Sequence, residues 1–430
     1  MIIHIVQPGE TIDSIANYYD INKERLIFDN DIINPDNLAD GQTILIVYPH
    51  EVYVVKEGDT VSSIAQMYDI TVQTLVRNNS FLLDREVLIG ETLVISYNDE
   101  KTSSFNVNGY AYPYINRDIL RKNLLYLTYL SIFSYSIKSD GTLTEIDDDE
   151  VIAMAKSFGV APIMVISGEG TEETISLDFY HDIINSEEAV VRVIEQAIKI
   201  STEKGYYAVN LDVPYIRTED RDAFVHLIRL FSMRLHEYNI KFFITITPDS
   251  FGDQDIPKDI LVQDYSNYGN IADEIVLLAY SWGYTSEIPL NAVPTSIQEI
   301  LLQLILEVVP KEKISVGFSS IGYITEFPPT KGDAKASSIS VSNAIELAGQ
   351  SGATIEFNQS NQSSYFFVTQ NDVTFFVYFH DIRGVDYQLS SLDSYGIDGV
   401  AIWNVMYYLA QTFFLINTQY HIMSATDVLE

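Results

Sequence analysis

The chain of 430 residues has no cysteine. Disulfides and thiolate metal sites are therefore excluded, while the compartment stays open. Basic residues are scarce: 25 Lys and Arg stand against 60 Asp and Glu, a formal charge of −35. That balance disfavours nucleic acid and anionic membrane surfaces as partners, because phosphate binding needs Lys and Arg. It suits a neutral or polar glycan and keeps the chain soluble. No stretch approaches about 18 uncharged apolar residues, so no membrane span is expected. The opening Met1-Ile2-Ile3-His4-Ile5-Val6 lacks a basic segment and a long apolar one, so no secretory signal is expected. No paired His or carboxylate spacing marks a metal site, and no cofactor is expected. What the chain does have is 47% hydrophobic and 12% aromatic residues. That supports large cores and argues against disorder. Its length suggests about two to four domains.

The first 97 positions repeat themselves. Val6-Gln7-Pro8-Gly9-Glu10-Thr11-Ile12-Asp13-Ser14-Ile15-Ala16 recurs as Val55-Lys56-Glu57-Gly58-Asp59-Thr60-Val61-Ser62-Ser63-Ile64-Ala65. Gly41-Gln42-Thr43-Ile44-Leu45-Ile46 recurs at the same offset as Gly90-Glu91-Thr92-Leu93-Val94-Ile95. Two signals at one offset make a repeat. Each unit reads strand, helix, helix, strand, with Thr11 and Thr60 as helix N-caps. Ile12, Ile15 and Ala16 give one apolar helix face. The pattern resembles LysM, a small module that binds N-acetylglucosamine-containing glycans. The resemblance implies sugar-binding positions at Gly9, Glu10, Thr11, Ile33 and Asn34 in residues 1–48. In residues 50–97 it implies Gly58, Asp59, Thr60 and Leu82. Read structurally, the same threonines only cap helices and the apolar residues only pack. The second copy carries Leu82-Leu83 where Asn-Pro or Asn-Asn is more usual in that family. Residues 98–107 read as a short polar linker.

From 108 to 424 strands and helices alternate, as βα units do. Strands are expected at 107–112, 126–135, 161–166, 207–212, 241–247, 274–280, 313–318 and 399–403. Helices are expected at 186–203, 221–238 and 300–309. Eight such strands fit one (β/α)8 TIM barrel. An α+β insertion is expected at about 341–385, with a hairpin turn at Gln370-Asn371-Asp372. The fold class is thus α/β: two βααβ modules, then a TIM barrel with a small insertion.

The stretch Tyr207-Ala208-Val209-Asn210-Leu211-Asp212-Val213-Pro214 reads as a buried strand with polar residues at its C-terminal end. Chemistry sits there in such barrels. With the following Glu219-Asp220-Arg221, it resembles glycoside hydrolase family 18, in the LysM-bearing branch of spore-cortex N-acetylglucosaminidases. Hydrolysis in that family is substrate-assisted. A Glu protonates the glycosidic oxygen, while an Asp and a Tyr hold the acetamido group that attacks. The resemblance matches Asp212 to the supporting Asp and puts Pro214 at the acid position. Proline has no proton to give. Tyr280, Trp282 and Gly283 keep the sixth-strand pattern, but Ser281 replaces its Asp. His380 replaces a Glu ahead of Asp381 and Arg383, and Trp403 matches the aromatic floor under the sugar. Asn210, Tyr280, Trp282, Asp381 and Trp403 are the barrel's candidate glycan contacts.

These residues imply an inactive barrel that binds peptidoglycan or chitin-like glycan alongside the LysM pair. The resemblance implies a site at the spore cortex or coat, reached without a signal peptide, with other coat proteins as further partners. Two readings stand beside it. One is an active cortex N-acetylglucosaminidase using a non-standard acid. The other is a structural coat or appendage subunit.

Overall fold

The computed structural model describes residues 1–97, 101, 103–168, 177–213, 216–246, 264–278, 295–328 and 336–425. The first repeat is β1 (Ile2–Ile5), α1 (Ile12–Tyr19), α2 (Lys23–Asp29) and β2 (Thr43–Ile46). The second is β3 (Glu51–Val54), α3 (Val61–Met67), α4 (Val72–Asn78) and β4 (Thr92–Ser96). Within each copy the two strands pair antiparallel. Val6, Ile12, Ile15, Leu26, Ile44 and Ile46 close the first core. The helix starts follow from the sequence box. Thr11 and Ser14 cap each other reciprocally, as do Thr60 and Ser63.

The barrel begins with β5 (Ser104–Ala111), inside the expected linker. It continues through α5 (Arg117–Leu124), β6 (Tyr129–Ile137), α6 (Asp149–Ser157), β7 (Ala161–Gly168), α7 (Leu177–Ile184), α8 (Glu187–Lys204) and β8 (Ala208–Asp212). Then come α9 (Arg221–His236), β9 (Lys241–Ile246), α10 (Tyr265–Ile271), β10 (Glu274–Leu278), α11 (Thr295–Leu306) and β11 (Ile314–Ser319). Every neighbouring pair is parallel, and β7 is buried at all its positions. Parallel strands covered on both faces need such apolar runs. Helix α8 turns one stripe, Val190, Val193, Ile194, Ala197 and Ile198, onto the barrel.

A lobe follows at once: β12 (Ile321–Phe327), β13 (Ser337–Ser340), α12 (Val341–Ser351), β14 (Glu356–Asn358), β15 (Ser363–Gln370) and β16 (Val373–Phe379). They form one five-stranded antiparallel sheet in the order β13-β12-β16-β15-β14. The lobe therefore starts at Ile321, ahead of the expected 341. Its first strand runs on from β11 after a single residue, so nothing in the local sequence separates them. The hairpin turn is where expected, with Asn371 and Asp372 both at positive φ. The chain returns through α13 (Ile382–Tyr395) to β17 (Gly399–Trp403). That strand lies between β11 and β5 and closes the eight-stranded barrel. The last elements are α14 (Ala410–Gln419) and β18 (His421–Ile422), the latter beside β5.

The modules are not beads on a string. The second LysM core is continuous with the barrel core: Ile64, Leu75 and Leu93 belong to one cluster with Leu120, Leu124 and Phe413. Arg77 Nε donates to the Leu125 carbonyl at 2.6 Å, and Asn417 Nδ2 to Asn78 Oδ1 at 2.8 Å. The first LysM module touches both barrel and lobe. Gln411 Nε2 donates to Asn30 Oδ1 and to the Thr43 carbonyl, both at 2.9 Å. Ile355 N donates to the Asp40 carbonyl at 2.8 Å. Gly41 makes that last approach possible. A Cβ there would meet the Ile355 oxygen at 2.1 Å, and its φ of +81° suits only glycine.

Candidate functional site

At the barrel mouth, β8 ends on Asp212 and β17 on Trp403, both half-buried. Asn210 lies two residues deeper and is fully buried. Its Nδ2 donates to Tyr110 OH and to Thr245 Oγ1, both at 2.9 Å, and Thr245 Oγ1 donates back to Asn210 Oδ1 at 3.1 Å. The side chain of Asn210 is thus spent inside the barrel and presents no surface to a glycan. Burial, with smaller contributions from the charges of Asp212 and Glu274, pushes the Tyr110 phenol well above its ordinary pKa.

Trp403 is the centre of an aromatic group. Its ring lies 5.0 Å from Phe133, 5.6 Å from Tyr110 and 6.1 Å from Tyr112. Tyr112 in turn stacks on Tyr114 at 5.3 Å, and Tyr114 is 75% exposed. Sequence reasoning missed Tyr112, Tyr114 and Phe133. The signal was the alternation Tyr110-Ala111-Tyr112-Pro113-Tyr114 running out of the first barrel strand. Such a strip, half-sunk and half-open, is suited to stacking on the apolar faces of sugars. Pro214, Tyr280, Ser281, Trp282 and Gly283 lie outside the described residues.

The acids near the β8 end are occupied. Asp220 is buried, 2.8 Å from His181 Nδ1 and 2.8 Å from Asn185 Nδ2, and so ties α7 to the start of α9. Glu219 faces Arg217 on the surface.

His380 and Asp381 do not join Trp403. Asp381 is buried and caps α13, accepting from Arg383 N at 2.9 Å. Its other oxygen takes Arg383 Nη2 and Ser364 Oγ, both at 2.6 Å. The Arg383 guanidinium lies over the Phe357 ring at 4.2 Å. The carboxylate is fully engaged in holding the lobe to α13, which leaves it nothing for a sugar. His380 lines a recess that neither Trp403 nor Asp212 lines. Its Nδ1 sits 3.1 Å from the Gln362 carbonyl, and burial holds its pKa below the ordinary value.

The two LysM loops fare differently. Glu10 accepts from Gln7 N at 2.8 Å and contacts His4 Nε2 at 2.9 Å; Asp59 accepts from Lys56 N and Tyr53 OH. Those backbone N–H bonds lower both carboxyl pKa values. With Thr11 and Thr60 capping helices, these four side chains build the turns; Gly9 and Gly58 hold them at φ of +84° and +86°. In the first copy Ile33 stays 54% exposed and Asn34 half-buried. In the second, Leu82 is buried, and Arg121 of α5 donates to the Leu83 carbonyl and pairs with Asp84. The barrel thus covers the second loop and leaves the first open.

An eight-stranded parallel barrel with an acid and a stacked aromatic group at its strand C-termini has the build of a TIM-barrel glycosidase. The chain belongs to glycosyl hydrolases family 18, whose profile matches residues 95–407, preceded by LysM domains matched at 4–47 and 53–96. It is 32% identical over 433 residues to the cortical fragment-lytic enzyme of Bacillus subtilis, covering 99% of this chain and 100% of that protein. The spore cortex-lytic enzyme SleL of Bacillus megaterium superposes with a TM-score of 0.80 at 23% identity, covering 98% of both chains. SleL of Bacillus cereus gives 0.80 at 24% identity, covering 99% of both.

Proposed function

We propose that the protein binds N-acetylglucosamine-containing wall glycan at the spore cortex or coat without hydrolysing it. The reading rests on Pro214, which the family resemblance puts at the acid position. Asp212 closes β8 and Glu219-Asp220 precede α9, and Val213 to Thr218 contains no carboxylate at all. Asp220 cannot stand in, because its carboxylate is already bonded to His181 and Asn185. Ser281 removes a second charge that would oppose the oxazolinium formed in substrate-assisted hydrolysis. Losing a general acid costs about 10²–10⁴ in rate, and losing electrostatic stabilisation a similar factor again. Glycan binding is supported by the open loop at Ile33 and by the aromatic strip from Trp403 to Tyr114.

A second reading, an active cortex N-acetylglucosaminidase, is favoured by the full-length similarity to the cortical fragment-lytic enzyme of Bacillus subtilis. It requires a proton donor other than residue 214. Reducing-end release from N-acetylglucosamine oligomers and cortex fragments separates the two. No turnover is expected from the natural chain, and more from Pro214→Glu with Ser281→Asp than from either alone, since the two act as a unit. Clear turnover by the natural chain, lost in Asp212→Asn, establishes the enzyme instead.

A further inference from the structure

Between the first LysM module, the lobe and the end of the barrel lies a cavity of about 90 Å³. One wall is the loop Asp31 to Asn34. The others are α12 with Ile345 and Glu346, the β11 end with Ser319 and Ser320, and the α14 start with Gln411; His380 faces in from the end of β16. We propose that this cleft is a composite glycan subsite, shared by the first LysM module and the lobe, for an uncharged N-acetylated hexosamine unit. The proposal rests on the glycan-binding reading above and adds where, and between which modules, one sugar is held.

The chemistry of the lining chooses the ligand class. No Lys or Arg lines the cleft, while Asp31, Glu346 and Asp381 do. An anion would meet the carboxylates of Asp31 and Glu346, and an Asp381 already paired with Arg383, with no cation in the lining itself, in a chain of net charge −35. What remains is amides, hydroxyls and apolar surface, the mixture that recognises a neutral sugar bearing an acetamido group. His380 supplies the directional contact. Its Nδ1 faces a carbonyl, which can only accept, so Nδ1 carries the proton. Nε2 is then a bare acceptor, and no protein donor to it is found among the described residues. A ligand N–H or O–H satisfies it. Gly384 helps fix the ring. A Cβ there would meet the Gln362 oxygen at 2.3 Å and His380 Nδ1 at 3.1 Å. The opposite wall offers Ile33, exposed to solvent by 54% in a loop that otherwise folds back on the module. The walls are held at fixed separation by the Ile355–Asp40 and Gln411–Asn30 bonds, so the cleft is built before the ligand arrives.

Calorimetric titration of the full chain with the N-acetylglucosamine tetramer tests this. His380→Leu is expected to weaken binding about fivefold, the worth of one hydrogen bond. Glu346→Ala, at a half-buried position of α12 whose carboxylate accepts from Gln350 one turn on, is expected to weaken it as well and carries little risk to folding. Ile33→Ser with His380→Leu should lose less than the product of the single losses, because both walls grip one unit. A tetramer carrying lactyl carboxylates should bind more weakly than the neutral one. If His380→Leu and Glu346→Ala bind as the natural chain does while Ile33→Ser is impaired, the composite site is refuted and the glycan-binding reading survives. If the natural chain binds no tetramer, both fall.

Discussion

Glu274 opens β10 at the end of the barrel away from the mouth, and its environment makes stability depend on pH. Ser315 Oγ donates to its carboxylate, the Tyr129 and Tyr207 rings lie nearby, and Asp273 precedes it. Burial, opposed by the Ser315 hydrogen bond, raises its pKa from 4.5 to about 7. Between those values the folded protein keeps a proton that the unfolded chain has released. Stability therefore falls as pH rises through this window, by about 1.4 kcal/mol per pH unit, and levels off above it. The full window is worth about 3 kcal/mol by that slope. The residue keeps some solvent exposure, so we expect about 2 kcal/mol. Glu274→Gln keeps an acceptor for Ser315 and cannot ionise. Denaturant unfolding of both proteins, followed from about pH 5 to about pH 8, reads the difference directly. The variant should gain on the natural chain as pH rises and hold a constant lead above about pH 7. A lead that is flat across the range, or that shrinks with rising pH, refutes the assignment.

Two further outcomes follow from the site. Asp381→Ala removes a cap and leaves Arg383 and Ser364 without their shared buried partner. It should cost about 3–5 kcal/mol in unfolding free energy, and Asp381→Asn less, because the amide still caps α13. Trp403→Ala strips the ring that Tyr110, Tyr112 and Phe133 surround. If the strip holds a sugar, calorimetry should show oligomer binding weakened by roughly 1–2 kcal/mol. Unchanged affinity makes Trp403 a packing residue alone.

Much of the barrel was legible because its strands are short apolar runs bounded by turns, and all eight lie within a few residues of the expected positions. The repeat was legible because a turn, a cap and a closing strand recur at one offset. Chemistry was harder to read than fold. Glu10 and Asp59 look like glycan contacts by position, yet backbone N–H groups three residues earlier take their carboxylates. Asn210 sits two residues before Asp212 on the same strand face, but barrel depth buries the one and half-opens the other. His380 aligns with a groove residue in sequence. Its ring is held by the Gln362 carbonyl, and the recess it lines is shared with the first LysM module, a meeting of residues more than three hundred positions apart that no local pattern encodes. The start of the lobe was misplaced for a related reason. β11 and β12 abut with only Ser320 between them, and only the antiparallel pairing of β12 with β13 and β16 marks where one sheet ends and another begins.

The second LysM module illustrates how a binding unit becomes part of a scaffold, and its cooperativity is measurable. Its loop at Leu82 is buried, Arg121 grips the carbonyl beside it, and its core merges with that of the barrel. Arg77 is buried deeply enough that desolvation pulls its pKa down to about 10, and it is held by the Leu125 carbonyl. Asn78 is buried, donating to the Ile95 carbonyl at 2.7 Å and accepting from Asn417. A module tethered by a linker would open on its own, well below the free energy of global unfolding. One welded by buried polar bonds and a shared core should open with the barrel. Hydrogen exchange on the intact chain decides between them. Amides of α4 and β4 should be protected to the same free energy as those of β5 and β6. Asn417→Ala, which leaves the Asn78 oxygen buried without its donor, should cost about 1–3 kcal/mol and lower both sets together. Exchange of α4 far ahead of β5 in the natural chain would make the module an independent anchor. The burial of Leu82 would then be a contact that opens readily, and the second loop would return as a candidate glycan site beside the first.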